Sequence, residues 1–476
     1  MIFTNKNSII REFTKLIPWI IIVLCIGTQP SDFDLLGTGK ANTLNATRLI
    51  LAMATSLIII IVFVFNVLKL FFVKTKLSKI DNKYLIFYLF LIYFIFQACG
   101  YFLNLSELRN KGYADSYYLI ILSFAFIAYF FLIKKTTTLK NIKYFLYFLY
   151  FTICVAGLFL TVIHISKSSL ESANYFSLYN SVLSQHQFFL NHELPRVTGI
   201  SRTLSIFSII LISLYFLNKN KFVILFITTS IFVLSIIIFA FQSRGTILCY
   251  TLSLLFFLFL FKKESLKKKI AVICFSILLP YLSFEGIRHI QFESIKADNS
   301  FSIFSPFKKN ELETVKIPFN KDSINTIILN KNRLLDMSSS GRIDLWKSSI
   351  RLYDKNLIFG YGPQGDRYLL RDNLKTHSAN NVSNGYIYSF LSGGYFGFFI
   401  FIIIIINLLY FLFKSIFINK IFNSYNSTNK KLSLTIFVYF LLRINFENSF
   451  SVFGIDFILM FISILIFLIK EKKITL

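Results

Sequence analysis

Cysteine, proline and acidic side chains are scarce in this sequence of 476 residues, which has 5 Cys, 7 Pro and 23 Asp and Glu together. All five cysteines lie inside apolar runs, and none has the spacing to histidine that a zinc site requires. The sequence therefore predicts neither a disulfide framework nor a Cys/His metal site. No segment is rich enough in proline or serine to form a linker, and no repeat recurs at a fixed spacing, so a chain of separate modules is not expected.

Apolar and basic side chains are abundant instead. Hydrophobic residues make up 55% of the chain, and 59 Phe and 25 Tyr raise the aromatic share to 18%. A soluble globular domain rarely reaches these values, so they indicate a membrane protein that crosses the bilayer several times. The formal net charge is +27, but the basic residues gather in short clusters between apolar runs, as in cytoplasmic membrane loops. Because no basic domain exists outside those loops, nucleic acid is not expected as a partner.

Apolar runs near the length of a bilayer core recur along the chain. We identify them at 16–28, 49–68, 84–104, 117–133, 144–165, 203–217, 222–241, 245–261, 270–284, 385–413, 432–446 and 455–469. The run 385–413 is long enough to tilt strongly or to break. The predicted fold class is therefore all-α, a polytopic protein of about 12 transmembrane helices in the lipid bilayer.

The distribution of Lys and Arg predicts the orientation of these spans. Alternate loops on one side hold most of the basic residues, and the bias is roughly five to one. The short loops on the other side hold only Lys40, Arg48, Arg109, Lys111 and Arg244. Since basic loops stay in the cytoplasm, both termini are expected there, and the loops 166–202 and 285–384 are expected outside.

The polar stretch 285–384 divides the sequence into three parts. Residues 1–284 are expected to form a transmembrane domain of nine spans that includes the external loop 166–202. Residues 285–384 form an external loop subdomain packed on it, and 385–476 supply the last three spans. A connection of this length is usually functional or disordered, and function concentrates on loops that a rigid scaffold holds. We therefore expect the chemistry in 285–384.

Four arginines on the predicted outer side are candidates for binding an anion. Arg244 directly follows the seventh span, Arg196 and Arg202 flank the start of the sixth, and Arg342 opens a Gly-Arg-x-Asp-x-Trp stretch. An arginine near the hydrocarbon is unfavourable unless it meets an anion, although it can also reach lipid phosphates. Because guanidinium is permanently charged and binds phosphate oxygens in a forked geometry, the group suits a diphosphate headgroup.

His377 is the candidate for accepting a proton. It stands at the end of the long polar stretch, close to the next span, and histidine titrates near neutral pH. His186 and His192 in the other external loop compete for this role, and each can equally be a surface residue without a role. Asp32 and Asp34, just after the first span, have the spacing that a metal-assisted transferase would need, or are two solvated loop acids.

Arg443 and Glu447 are spaced one helical turn apart at the end of the eleventh span. This spacing places two side chains on the same face of a helix. We expect a structural ion pair between them.

Together these features resemble the bacterial O-antigen polymerase and O-antigen ligase superfamily, whose members have about twelve spans and one large, late periplasmic loop. The resemblance covers most of the chain in topology and is sharpest in four stretches. They are Pro195–Gly199 before the sixth span, Ser243-Arg244-Gly245 after a span, Gly341–Trp346 with Gly360-Tyr361-Gly362 in the loop, and Ser383–Ile387 leading to Gly393–Gly397 where the chain returns to the membrane. In the family a histidine commonly lies at or just before the asparagine of that last stretch. Here Ser383 precedes Asn384, and His377 lies seven residues before Asn384, in a run His377–Asn381 that offers a second alignment.

The resemblance implies a glycosyltransferase at the periplasmic face of the bacterial inner membrane that uses neither metal nor cofactor. Its substrate would be a glycan on a polyprenyl-diphosphate carrier, and a chain-length regulator and a flippase would be its partners. It implies that Arg244, Arg342 and Arg196 hold the diphosphate and that His377 accepts the proton of the attacking hydroxyl. The other substrate-binding candidates are Arg202, Trp346, Tyr361 and Asn384. Trp346 and Tyr361 would shape the sugar cleft, or together with the loop glycines they would determine the fold.

The sequence leaves open which acceptor is used and which class of reaction the protein performs. Ser383-Asn384, Gly393-Gly394 and Arg443-x-x-x-Glu447-Asn448 favour a polymerase, which would use another carrier-linked repeat as the acceptor. A ligase would transfer the glycan to lipid A core instead. A transporter of lipid-linked glycans would show symmetry between two halves and broken mid-membrane segments, neither of which is clear here. A transferase that uses polyprenyl-monophosphate sugar would depend on Asp32 and Asp34.

Overall fold

The computed structural model describes twelve stretches of the chain. They are 53–65, 85–110, 116–133, 187–188, 192–193, 197–241, 243–262, 264–287, 342–353, 358–373, 382–418 and 428–468. The residues form two compact units, one made of 1–150 and 341–476 and the other of 151–340. The three-part division predicted at 284 and 385 follows the membrane topology rather than the packing of these units and stays a prediction.

The described part of the first unit consists of helices joined by turns and loops. Its helices are α1 (Met53–Phe65), α2 (Leu85–Leu103), α3 (Leu105–Asn110), α4 (Tyr117–Ile133), α9 (Arg342–Leu352), α10 (Gly365–Asn373), α11 (Gly385–Phe413), α12 (Thr428–Arg443) and α13 (Ile455–Leu468). A 3₁₀ turn at Ser449–Ser451 lies between α12 and α13.

The second unit contains a short ribbon followed by four helices. The ribbon pairs β1 (Gln187–Phe188) with β2 (His192–Glu193) in antiparallel register, Phe188 opposite His192. The helices are α5 (Val197–Leu217), α6 (Lys221–Ala240), α7 (Arg244–Leu260) and α8 (Leu266–Ile287), the last with a π-helical turn at Cys274–Leu278. Inside this unit the Tyr250 hydroxyl lies 2.7 Å from Ser208 Oγ and 3.4 Å from Ser235 Oγ. Such buried hydroxyl contacts join neighbouring helices of a membrane protein.

Four helices among the described residues are long and apolar enough to cross a membrane: Leu85–Leu103, Lys221–Ala240, Leu266–Ile287 and Gly385–Phe417. Large apolar side chains on them are exposed, such as Phe222 at 84%, as expected of a surface that faces lipid. The all-α, polytopic membrane class is therefore confirmed. The count of twelve stays a prediction, since the spans at 16–28 and 144–165 lie outside the described residues.

Aromatic packing holds α2, α11 and α13 together in the first unit. Tyr93 and Phe401 have ring centroids 5.2 Å apart, and Phe90 meets Phe457 edge to face at 5.1 Å. Offset and edge-to-face pairs of this kind add to the stabilisation that burial alone provides. The high phenylalanine content of the sequence therefore supplies the interior of this unit as well as its lipid-facing surface.

The helix α11 is broken near its start. Gly394 has φ 64° and ψ −160°, values outside the helical region, so the helix kinks there. The carbonyls of Leu391 and Ser392 accept hydrogen bonds from the backbone N–H groups of Tyr361 and Gly362, each at 2.9 Å. Non-helical backbone inside a membrane protein needs such partners, because lipid offers none. The run 385–413 was expected either to tilt or to break, and in the structure it breaks. The segment around Tyr361 lies in the break.

Candidate functional site

The last part of the long polar stretch folds onto the first unit around one apolar cluster. It is formed by buried side chains from α9, α10, the loop between them, the segment before α11 and the start of α11: Leu345, Tyr353, Tyr361, Leu369, Leu370, Val382, Tyr388 and Leu391. The cluster gives the loop a rigid base, and the candidate site residues of this unit stand on or beside it.

The connection between α12 and α13, residues 444–454, holds the other side of the site. At its start, three successive backbone oxygens accept hydrogen bonds: Ile444 from the Gly385 N–H at 2.8 Å, Asn445 from Asn384 Nδ2 at 3.2 Å, and Phe446 from Arg342 Nη1 at 2.8 Å. We name this segment the 444–454 connection. Residues far apart in the sequence thereby converge on the point where the loop returns to the membrane.

Arg342 is the first residue of α9. Contacts with Phe446 and Glu447 hold its guanidinium group but leave part of it exposed. Besides the bond to Phe446 O, its Nη2 lies 3.7 Å from Glu447 Oε1, with the Arg342 side chain 33% exposed. These contacts use few of the five N–H donors of a guanidinium. Arg342 is therefore oriented by the fold and still presents donors to an anion.

Trp346 and Asn384 serve to fix the backbone around the site. Trp346 Nε1, the only donor of the indole, donates to Val382 O at 2.7 Å, and the ring packs against the apolar cluster. Asn384 is the N-cap of α11, and its Oδ1 accepts the N–H groups of Tyr386 at 3.0 Å and Ile387 at 3.1 Å. Their contact with substrate stays a prediction, but both side chains have structural partners already.

The Gly-Tyr-Gly motif determines the fold locally. Tyr361 is buried, and its ring meets Tyr353 edge to face at 5.9 Å. A Cβ on Gly360 would lie 2.5 Å from Gly394 N, and one on Gly362 would lie 2.6 Å from Tyr101 Cβ. Because no side chain fits at either position, the motif glycines allow backbone segments to touch. Of the two roles left open by the sequence, the fold-determining one applies to these glycines.

Left-handed backbone conformations concentrate at this site. Among the described residues, every position with positive φ belongs to the Gly-Tyr-Gly loop, the start of α11 or the 444–454 connection: Gly360, Gly362, Gln364, Ser383, Gly394 and Ser449. Gln364, Ser383 and Ser449 are not glycine, so this conformation is unfavourable for them. Clusters of such residues persist where the surrounding structure imposes them and are common at functional sites.

Asp366 is a candidate that the sequence did not single out. It lies in the first turn of α10, is 1% exposed, and accepts the Val382 N–H at 3.1 Å through Oδ2. Burial raises the pKa of Asp366, while Arg367, the Val382 N–H and the Asn448 amide lower it. An acidic residue in a first helical turn usually faces solvent, where it offsets the helix dipole. No local sequence signal distinguishes a buried one.

Arg443 and Glu447 have different partners from those expected. Arg443 Nε binds Asp456 Oδ2 at 3.1 Å, both side chains being 4% exposed, and so joins α12 to α13. Glu447 instead faces Arg342. The helix ends at Arg443 and turns, so the spacing of four residues no longer places the two side chains on one helical face.

The remaining candidates lie in the second unit or outside the described residues. Arg244 begins α7 and Arg202 lies in α5, and both are half-buried. His377 and Arg196 lie outside the described residues, as do the alternatives His186, Asp32 and Asp34. The structure therefore brings together Arg342, Trp346, Tyr361 and Asn384 in one unit.

No three His, Cys, Asp or Glu side chains stand close enough to hold a metal ion in the part of the chain that the structure describes. A metal-independent reaction stays a prediction, because the Asp32 and Asp34 pair lies elsewhere.

Comparison with known proteins bears on the same stretch. Residues 229–402 match the model of a family described as O-antigen ligase. No curated protein matches the chain. The matched range contains Arg244, Arg342, His377 and Asn384, whereas the candidates Arg196 and Arg202 lie before it. The match over residues 229–402 supports the resemblance to the O-antigen polymerase and ligase superfamily, and with it a function of the ligase or polymerase type in surface polysaccharide synthesis.

Proposed function

We propose that the protein polymerises glycan, transferring a polyprenyl-diphosphate-linked glycan to a sugar hydroxyl of another carrier-linked repeat. The reaction takes place at the periplasmic face of the bacterial inner membrane, with both termini of the chain in the cytoplasm. The match of residues 229–402 to the O-antigen ligase family supports the reaction class. The distribution of Lys and Arg supports the orientation.

The observation that carries the proposal is the state of Arg342. A carbonyl oxygen and a carboxylate at 3.7 Å orient its guanidinium, and a third of the side chain stays exposed beside the start of a membrane helix. An arginine whose function was only structural would be expected to have its donors satisfied by the protein. One that is anchored and still open suits a phosphate group at the membrane surface.

The proposed chemistry is a single displacement at the anomeric carbon of the donor sugar. The acceptor hydroxyl forms the new glycosidic bond, the bond to the diphosphate breaks, and His377 takes the hydroxyl proton. Arg342 balances the negative charge that builds on the diphosphate, a role that the resemblance also implies for Arg244 and Arg196. Preorganised positive charge is most effective in a site that excludes water, so the reaction needs no metal ion. Trp346, Tyr361 and Asn384 shape the wall of the site.

A ligase is the second candidate, because the matching family is described as O-antigen ligase. It would use the same donor and the same arginines but transfer the glycan to lipid A core. The two are separated by supplying one purified acceptor at a time. Carrier-linked repeats alone should suffice for the proposed polymerase, whereas a ligase makes product only when lipid A core is present.

The proposed partners follow from the substrate. The carrier-linked repeat has to reach the periplasmic face, which requires a flippase, and a chain-length regulator would limit polymer growth. Both should be encoded near this protein in its genome.

The test uses cells that lack the protein and are complemented with variants. Arg342→Ala should abolish the polysaccharide ladder, and Arg342→Lys should restore little of it, because a point charge cannot form forked contacts. Arg351→Ala is the matched control, since Arg351 lies exposed near the end of the same helix. Immunoblotting confirms that each variant reaches the membrane. A near-normal ladder with Arg342→Lys would contradict the role of Arg342 in binding diphosphate.

A further inference from the structure

Asp366 is unusual among the buried polar groups near the site. It lies four residues after the Gly-Tyr-Gly motif, in the run Gly360-Tyr361-Gly362-Pro363-Gln364-Gly365-Asp366. Its Oδ2 accepts the Val382 N–H, but its Oδ1 has no hydrogen-bond partner within the described part of the chain. A buried carboxyl with one unsatisfied oxygen makes a fold less stable. A contribution to the stability of the fold therefore does not explain why an aspartate occupies this buried position.

The position of Asp366 connects the two halves of the site. Val382, whose N–H it binds, precedes the helix cap Asn384 by two residues. The Asn448 amide also lowers the pKa of the Asp366 carboxyl. The Oδ1 of the same amide accepts the Asn384 N–H at 3.2 Å. Phe446 and Glu447, which hold Arg342, directly precede Asn448 in the 444–454 connection. One carboxyl thus lies where the turn into α11 meets the segment that anchors Arg342.

We propose that Asp366, in its ionised form, is a positioning residue of the transfer site. Hydrogen bonds to a carboxylate are shorter and stronger than those to a neutral oxygen. The charge of Asp366 therefore holds the turn 382–384 and the 444–454 connection in one arrangement, and with them the surroundings of Arg342. The inference rests on the proposed function, because it assigns Asp366 to the same reaction.

The charge of Asp366 has opposite effects on stability and on positioning. Arg367 on its own helix and Tyr388 on α11 are the charged and titratable groups that act on it, and the 444–454 connection adds the neutral Asn448 amide. Burial raises the pKa of Asp366 in the folded protein above its value in the unfolded chain. The contribution of this group to stability is therefore full below the unfolded pKa, falls as the pH rises between the two values, and stays low at neutral pH.

The variant Asp366→Asn tests the proposal because it has the same shape and no charge. Its amide oxygen can still accept the Val382 N–H, so a purely structural role should survive. With purified protein and lipid-linked repeats extracted from the producing cells, we expect kcat to fall by about 10- to 100-fold with KM little changed, as for a small misplacement of catalytic groups. At neutral pH the thermal unfolding midpoint should equal or exceed that of the wild type, and this advantage should disappear at low pH. Asp344→Asn, an exposed acid in the first turn of α9, is the matched control and should change neither quantity.

Each other result overturns the inference. A normal kcat in Asp366→Asn means that the charge positions nothing. A lower kcat with a matching loss of thermal stability means that Asp366 only supports the fold. Arg342→Ala is measured in parallel: if it stays active, the proposed function fails, whereas an inactive Arg342→Ala beside a fully active Asp366→Asn rejects only the role of Asp366.

Discussion

Asn384 performs two functions with one amide side chain. Its Oδ1 caps α11 by accepting two backbone N–H groups, and its Nδ2 donates to Asn445 O in the 444–454 connection. The asparagine that carries part of the family resemblance is therefore a joint between a membrane helix and the segment that holds Arg342. Substitutions can separate the two functions.

We expect Asn384→Ala to lower the free energy of unfolding by about 1–2 kcal/mol, the usual effect of losing an N-cap. Asn384→Ser should recover part of this loss, because serine caps a helix but cannot donate across to Asn445. The measurement is the thermal unfolding midpoint of purified protein in detergent. Asn407→Ala is the control, since the Asn407 side chain donates within its own helix, to Ile403 O at 2.8 Å. Equal midpoints for Asn384→Ala and the wild type would show that the cap is dispensable.

The residues around Arg342 were partly predictable. A Gly-Arg-x-Asp-x-Trp stretch in the one long polar segment singled out Arg342 and Trp346, because such side chains are unexpected in a chain dominated by apolar runs. Glu447 was also noticed, but with Arg443 as its expected partner. The actual pairing with Arg342 joins residues 105 positions apart, and no local spacing encodes it.

At the scale of elements, the site depends on a contact between a broken helix and an extended loop. Gly394 interrupts α11, and the loop Ile358–Gly362 occupies the gap and binds the freed carbonyls. Gly100 in α2 completes this packing from the other side, because a Cβ there would contact the carbonyl oxygens of Phe359 and Gly360. Asn104 Nδ2 donates to Gly360 O at 2.8 Å and fixes the loop further. The loop is thus clamped between two membrane helices.

We expect Gly394→Ala to destabilise the protein strongly. An L-residue at this φ is strained by about 1–3 kcal/mol, and the added Cβ would also overlap the Ile358 carbonyl oxygen. Thermal unfolding in detergent and the yield of folded protein measure the effect. Gly454→Ala is the control in the same unit, because a Cβ there meets nothing within 4 Å. If both variants behave like the wild type, the contact between loop and helix break does not hold the site.

At the scale of the whole molecule, orientation is the prediction on which the location of the chemistry depends. Cysteines introduced at Ser300 and Ser340 should react with an impermeant thiol reagent in intact cells, whereas cysteines at Lys268 and Lys430 should react only after lysis. Charge bias is the reason, since basic loops are retained in the cytoplasm. The five native cysteines are first replaced to remove background labelling. Labelling of the cysteine at position 268 in intact cells would show that the predicted topology is wrong.

The need for a metal ion is the second property of the whole enzyme that can be tested. If arginines balance the diphosphate charge, transfer by purified protein should survive EDTA, and Asp32→Asn and Asp34→Asn should have mild effects. His377→Ala should lower activity by about 10²–10⁴-fold, the usual range for losing a general base. Activity that is lost in EDTA, is restored by Mg²⁺ or Mn²⁺, and is equally sensitive to Asp32→Asn would support the monophosphate-sugar mechanism instead. If His377→Ala stays active, the general base is a different residue, and His192 or a carboxylate is the next candidate.

The sequence by itself determined the membrane class, and it predicted the segment that carries the chemistry and the resemblance to the O-antigen superfamily. Single stretches of the sequence carry this information. The bilayer requires long apolar runs, and a polar stretch among such runs is easily recognised. Only the tertiary structure decided that Gly360, Gly362 and Gly394 serve to bring backbone segments into contact, and that Asp366 is buried. It also decided which acid faces Arg342. Burial and pairing arise when segments distant in sequence pack together, and neither composition nor spacing records which segments those are.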